Sequence, residues 1–132
     1  MIVVHRAVEW QDTDAAGHYH HATVIRWVEA AEAELYARLG LDLMGIVPRV
    51  RYEVDYTDRL FYGEAVSVAL WVESLGETSV TFAFEVRGPR GIAARGRMVV
   101  VYVSRADGRP TPWPPNHRSA LVSADRGKLS SP

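Results

Sequence analysis

Ten residues carry much of the reactive chemistry of this chain. The run Asp12-Thr13-Asp14-Ala15-Ala16-Gly17-His18-Tyr19-His20-His21 holds two carboxylates, a glycine and three of the five histidines. Three readings suit such a set. Carboxylate and imidazole both ligate zinc or iron, but a helix expected to begin near His21 separates the histidines, and the next glutamate, Glu29, lies inside that helix. No recognised metal spacing follows, so no metal is expected. A structural reading has Asp12 opening a tight loop, Gly17 permitting a turn, and Tyr19 or His20 capping the helix. The third reading is acyl transfer to water. An unperturbed aspartate has a pKa of about 3.9 and is ionised at neutral pH, so Asp14 can attack directly or take a proton from water. The unpaired N–H groups and partial positive charge of a helix N-terminus suit a developing oxyanion. A serine nucleophile is disfavoured, because no Gly-x-Ser-x-Gly elbow occurs.

These residues need elements to hold them. Residues 2–10 read as a strand, and residues 22–39 as an amphipathic helix in which Val24, Trp27, Val28, Ala31, Leu35 and Leu39 recur at spacings of three and four. Arg26, Glu29, Glu32 and Arg38 supply its polar positions, and Gly40 is a natural stop. Strands follow at 49–56, 65–73 and 79–87, each alternating apolar and polar residues as half-buried antiparallel strands do. The last, 92–104, loses alternation at Val99-Val100-Val101-Tyr102-Val103, which predicts a central strand covered on both faces. After Asp107-Gly108 the chain is proline-rich, and from Ser123 it is polar and expected to fray. One strand, one long helix and four strands predict an α+β domain over residues 1–122, with a sheet of about five strands wrapped around the helix.

Composition narrows the function classes. A chain of 132 residues is one domain, and a formal charge of -1 argues against nucleic acid as a partner. With no cysteine there is no disulfide, thiolate metal site or cysteine nucleophile. No apolar run reaches about 18 residues, so no membrane span is expected and a cytoplasmic location is. Lys128 is the one lysine among fifteen basic residues. Arg87, Arg90, Arg95 and Arg97 gather around one predicted hairpin, read mainly as a solvated face, with contact to a phosphate-bearing ligand as the alternative.

The stretch Trp10-Gln11-Asp12-Thr13-Asp14-Ala15-Ala16-Gly17, followed by His20-His21-Ala22 and the helix Ile25-Arg26-Trp27-Val28-Glu29-Ala30-Ala31, resembles the hot-dog-fold acyl-CoA thioesterases of the 4-hydroxybenzoyl-CoA thioesterase and Tol-Pal-associated type. Supporting segments are Tyr52-Glu53-Val54-Asp55-Tyr56 and Gly96-Arg97-Met98-Val99-Val100-Val101, and the resemblance covers residues 2–115. It implies hydrolysis of an acyl-CoA thioester to acid and CoA, without a cofactor. It also implies that Asp14 is the catalytic carboxylate, and that His21 presents its backbone N–H to the thioester carbonyl. Gly17, His18, His20, Tyr56 and Arg59 are then substrate-binding candidates, with Asp58 beside them. The family assembles as homodimers, commonly paired into tetramers, so a neighbouring subunit's strand around 54–59 could complete the pocket. His20 stands where the family often has Tyr or Asn, and Glu32 where it often has Arg. Two alternatives remain open: a substrate carried on an acyl-carrier protein, and a non-catalytic acyl-thioester-binding module. The acyl group itself is not legible, although Trp27, Tyr52, Phe61 and Tyr62 could line an aromatic pocket.

Overall fold

The computed structural model describes every residue except Ala16, His18, His20, Met44 and 127–132. Its elements are β1 (Ile2–Ala7), a 3-10 turn (Trp10–Asp12), α1 (Thr23–Leu39), β2 (Arg49–Tyr56), β3 (Ala65–Leu75), β4 (Ser79–Gly88), β5 (Gly91–Val101) and α2 (Pro115–Val122). The strands form one antiparallel sheet in the order β1-β3-β4-β5-β2. β-Branched and aromatic residues dominate these strands, and they suit a pleated surface with one buried face.

Register shows which face that is. Phe82 meets the ring of Tyr36 on α1, with centroids 6.2 Å apart. Residues paired directly across strands share a face, so Val72 on β3 and Met98 on β5, the partners of Phe82, also face α1. From α1, Val24, Trp27, Val28, Ala31 and Leu35 fill the same layer, all buried. Fully burying one such large apolar side chain contributes about 1.5–3 kcal/mol, which makes this helix–sheet layer the main source of stability. Among the described residues, no helix is long and apolar enough to cross a membrane.

Gly96 shows how tightly β2 is drawn onto β5. A Cβ there would collide with the Glu53 carbonyl oxygen and come within 2.8 Å of the Phe84 ring. That ring stacks on Tyr52 at 5.7 Å, so only a residue without a side chain fits beneath the pair.

Several elements differ from the sequence reading. β1 ends at Ala7 rather than continuing to residue 10, because the 3-10 turn draws the chain away. β5 lies between β4 and β2 rather than at the centre. Its valines do alternate, with Met98 and Val100 buried and Val99 and Val101 half-buried. The proline-rich segment contains a helix: Pro115 opens α2, at a position where its missing N–H costs nothing. Trp113 just before it is buried and donates its indole N–H to the Ser79 carbonyl at 3.0 Å. Residues 123–126 dock instead of fraying. Ala124 is buried and its carbonyl accepts the Val72 N–H at 2.9 Å, while Arg126 lies over the Trp71 ring at 4.7 Å.

Glu32 is the clearest departure. Expected on the polar face of α1, it is only 3% exposed, accepts the Tyr36 hydroxyl at 2.6 Å, and pairs with Arg49 at the start of β2. Burial raises its pKa above the ordinary 4.5, against the opposing effects of Tyr36 and Arg49. A carboxyl raised in this way stabilises the fold while protonated. That contribution is complete below the unfolded pKa and is lost as pH rises through the folded one. Glu32→Gln cannot titrate, so the thermal midpoint of the wild type should fall relative to this variant as pH rises from about 4.5. A difference that stays constant with pH would refute the effect.

Candidate active site at the N-terminus of α1

Asp12 organises the acidic loop. Only 6% exposed, it accepts the Glu9 backbone N–H at 2.8 Å and the Arg26 guanidinium at 2.7 Å, and its carbonyl accepts the Thr23 hydroxyl at 3.1 Å. The first belongs to the capping box on the 3-10 turn, and the second ties that turn to the first turn of α1. The loop is thereby fixed against the helix it precedes. These contacts are structural, with Asp12 opening a tight loop and anchoring it. Arg26 as its partner had no sequence signal, since the two are fourteen residues apart.

Beyond Asp12 the chain turns back. The Gly17 N–H donates to the Asp14 carbonyl at 3.0 Å, and Gly17 takes a φ of 84°, a conformation L-residues with side chains rarely adopt. Thr13 then forms an isolated antiparallel bridge with Tyr19, whose N–H donates to the Leu60 carbonyl at 2.7 Å. Tyr19 is buried, with its ring stacked on Trp27 of α1 at 6.2 Å. His21 immediately precedes Ala22, the N-cap of α1. Ala22 brings no side-chain cap to the helix N-terminus.

This turn aims Asp14 and His21 into one cleft of about 520 Å³, lined also by Tyr19, Tyr56, Thr57, Asp58 and Arg59. Asp14 and His21 are both exposed at its surface. The cleft is bridged by Tyr56, at the end of β2, whose hydroxyl donates to the His21 carbonyl at 2.6 Å. Its ring sits 6.1 Å from that of Tyr19. Burial, with Tyr56 and Asp58 nearby, pushes the Tyr19 hydroxyl up to about 12, and burial also raises that of Tyr56. Both phenols are therefore neutral donors at neutral pH, which leaves proton transfer to the carboxylate and imidazole groups.

Of the sequence candidates, Asp14, His21, Tyr56 and Arg59 come together, Gly17 shapes the loop beside them, and His18 and His20 lie outside the described residues. Residues 56–59 of this same chain line the cleft. Thr57 and Tyr19 were not anticipated as lining residues. Trp27 belongs to the core, and among the described residues no group of three or more His, Asp or Glu is placed to hold a metal. The arginines of the hairpin are largely paired: Arg87 with Glu85, Arg97 with Glu73, and Arg90 with Glu64 and Asp58. A larger cavity of about 790 Å³ lies at the other end of α1, but its buried carboxylate, Glu32, is already satisfied by Tyr36 and Arg49.

A long helix laid on a five-stranded antiparallel sheet, with an acidic loop delivered to the helix N-terminus, defines the hot-dog class of fold. Residues 8–121 match the Thioesterase-like superfamily, and the chain belongs to that family. It is similar to the 1,4-dihydroxy-2-naphthoyl-CoA hydrolase of Synechococcus, with 27% identity over 114 residues, covering 78% of this chain and 87% of that protein. The chain spans 65% of the length of YneP from Bacillus subtilis and 67% of the Prochlorococcus marinus 1,4-dihydroxy-2-naphthoyl-CoA hydrolase. Among solved structures, a predicted thioesterase from Bacillus stearothermophilus superposes with a TM-score of 0.87 at 30% identity, covering 99% of this chain and 98% of that one. A thioesterase from Thermus thermophilus, complexed with coenzyme A and Zn, superposes at 0.85 with 28% identity and 93% of each chain covered.

The Asp12 clamp is testable through stability. Asp12→Ala leaves the Glu9 N–H without its acceptor and should cost about 1–3 kcal/mol in chemical denaturation. Asp12→Asn keeps one acceptor oxygen and should cost less; equal losses would mean that the charge, not the hydrogen bond, holds the turn.

Proposed function

We propose that this protein hydrolyses an acyl-CoA thioester to a free acid and CoA. The observation that carries the reading is the convergence of Asp14 and His21 on one cleft at the N-terminus of α1. Family membership supports it, as do relatives named as CoA-thioester hydrolases and a similar structure complexed with coenzyme A.

In this mechanism the thioester carbonyl lies against the backbone N–H of His21, where the positive end of the α1 dipole favours the oxyanion. Asp14 takes a proton from water as the water oxygen attacks the carbonyl carbon. The tetrahedral intermediate collapses, the C–S bond breaks, and the proton on Asp14 goes to the departing sulfur. The alternative course has the carboxylate itself attack, expelling the thiolate and forming an anhydride that water then cleaves. Both courses ask the same of the fold: an exposed carboxylate and a backbone N–H lining one cleft.

Tyr56 acts here as a positioning residue. Its hydrogen bond holds the His21 carbonyl, and because the peptide unit is planar this also orients the chain as it enters α1. Arg59, at the rim of the cleft, is a binding residue for the anionic ligand. The same proposal includes assembly as a homodimer or a dimer of such dimers. The sheet edge at β2, where Val50 is 60% exposed, supports this.

Asp14→Asn should fold with an unchanged thermal midpoint and lose about a hundred- to ten-thousand-fold in turnover of acyl-CoA. Unchanged turnover would sink the assignment. Tyr56→Phe, which keeps the ring and removes the hydrogen bond, should lower kcat about tenfold, with KM and thermal midpoint nearly unchanged. A rise in KM at constant kcat would make Tyr56 a substrate-binding group instead.

A further inference from the structure

One guanidinium on the β4–β5 hairpin gathers the segment that leads away from the cleft. Arg90 sits in the turn between Gly88 and Gly91, and its fork meets both carboxylate oxygens of Glu64, at 2.7 and 2.9 Å. The same guanidinium donates to the Arg59 carbonyl at 2.8 Å, stands 3.5 Å from the Asp58 carboxylate and lies 5.3 Å over the Phe61 ring. Its partners in turn fold their own backbone. Glu64 accepts the Phe61 N–H at 2.7 Å, and Asp58 accepts the Arg59 N–H at 2.8 Å. Beside them Gly88 makes room for the segment, since a Cβ there would collide with the buried Leu60 side chain. Residues 58–64 are therefore shaped around this hairpin turn, by charge-assisted bonds whose geometry a planar fork specifies.

The segment so held grips the reactive loop on both sides. Before the loop, Val8 donates to the Glu64 carbonyl at 2.9 Å and Gly63 to the Val8 carbonyl at 2.8 Å. After it, the Leu60 carbonyl accepts the Tyr19 N–H at 2.7 Å. In sequence, Asp14 lies between these two anchors and His21 just beyond the second. Arg90 itself stands outside the described lining of the cleft, so any effect it has on the reaction passes through this backbone.

We infer that Arg90 is a positioning residue for the hydrolysis: through Glu64 and the Arg59 carbonyl it fixes residues 58–64, and these hold the loop that carries Asp14 and the N–H of His21 from both flanks. The inference rests on the acyl-CoA reading above and adds a remote residue to its machinery. A misplacement of about 1 Å in reacting groups can lower a rate about a hundredfold, so loosening the loop through intermediate bonds should lower turnover about tenfold. The network lies at the surface, where ion pairs contribute little to global stability, so the fold should persist without it.

Arg90→Ala in the full-length protein should lower kcat on an acyl-CoA about tenfold, leave KM within about twofold and keep the thermal midpoint. Arg90→Lys carries the charge without the fork and should recover only part of that loss. Glu64→Gln still accepts the Phe61 N–H but cannot receive the fork, so it should match Arg90→Ala, and the double variant should be no worse than either single one. Amide hydrogen exchange followed by NMR should be faster at Val8, Tyr19 and Gly63 in Arg90→Ala than in the wild type. Unchanged kcat would overturn the inference, as would full recovery in Arg90→Lys. A rise in KM at constant kcat would make Arg90 a ligand contact instead, and a fall in kcat that tracks a fall in thermal midpoint would make it structural only; either result overturns the positioning role. Failure of the wild type to hydrolyse acyl-CoA would refute the proposed function, whereas exchange at Val8 and Tyr19 would still decide whether Arg90 holds the loop.

Discussion

The site depends on one buried carboxylate that takes no part in its chemistry. Asp12 binds the backbone of its own turn at Glu9 and the guanidinium of Arg26 on α1, while its carbonyl accepts from Thr23. An unpaired charge in that position would be costly, so the loop and the helix are held in the one relative placement that satisfies it. Asp14, two residues on, stands at the surface and lines the cleft with His21. The two aspartates differ in their surroundings, the buried one fixing the turn and the exposed one lining the cleft.

A similar economy governs the middle of α1. Glu32 is buried against Tyr36 and Arg49, and thus ties the helix to the first residue of β2. β2 is an edge strand, and its far end carries Tyr56 to the His21 carbonyl. β2 is consequently tied at its two ends, to α1 through Arg49 and to the chain entering α1 through Tyr56, and midway along it is drawn onto β5 at Gly96. The cleft lies at the end where the pin is a neutral phenol on a backbone carbonyl. A neutral donor there adds no charge to compete with an oxyanion, whereas the ion pair sits at the end where no reaction is proposed.

The surroundings of the cleft are chemically uneven. Inside are the small polar and titratable groups, Asp14, His21, Thr57 and Asp58. Trp10 and Tyr62, exposed and in edge-to-face contact, stand outside that lining. Apolar surface left open on rigid backbone commonly marks recognition.

The strands read at 49–56, 65–73 and 79–87 were legible because alternation is imposed by the pleat itself, and α1 because its apolar stripe has the helical period. The acidic loop stood out through residue type alone, and the motif from Trp10 to Gly17 pointed to the family. What a linear pattern cannot carry is partnership across the fold. The burial of Glu32, the bond between Asp12 and Arg26, the reach of Tyr56 to His21 and the docking of Ala124 each join residues that are neighbours only once the sheet has formed. Periodicity also reads proline as a breaker, and so α2 was missed where proline in fact starts a helix. The sequence by itself determined the elements and the reactive groups, because both follow from local chemistry. Tertiary structure alone decided which carboxylate is buried and which is open, because burial and charge pairing depend on what long-range packing brings alongside.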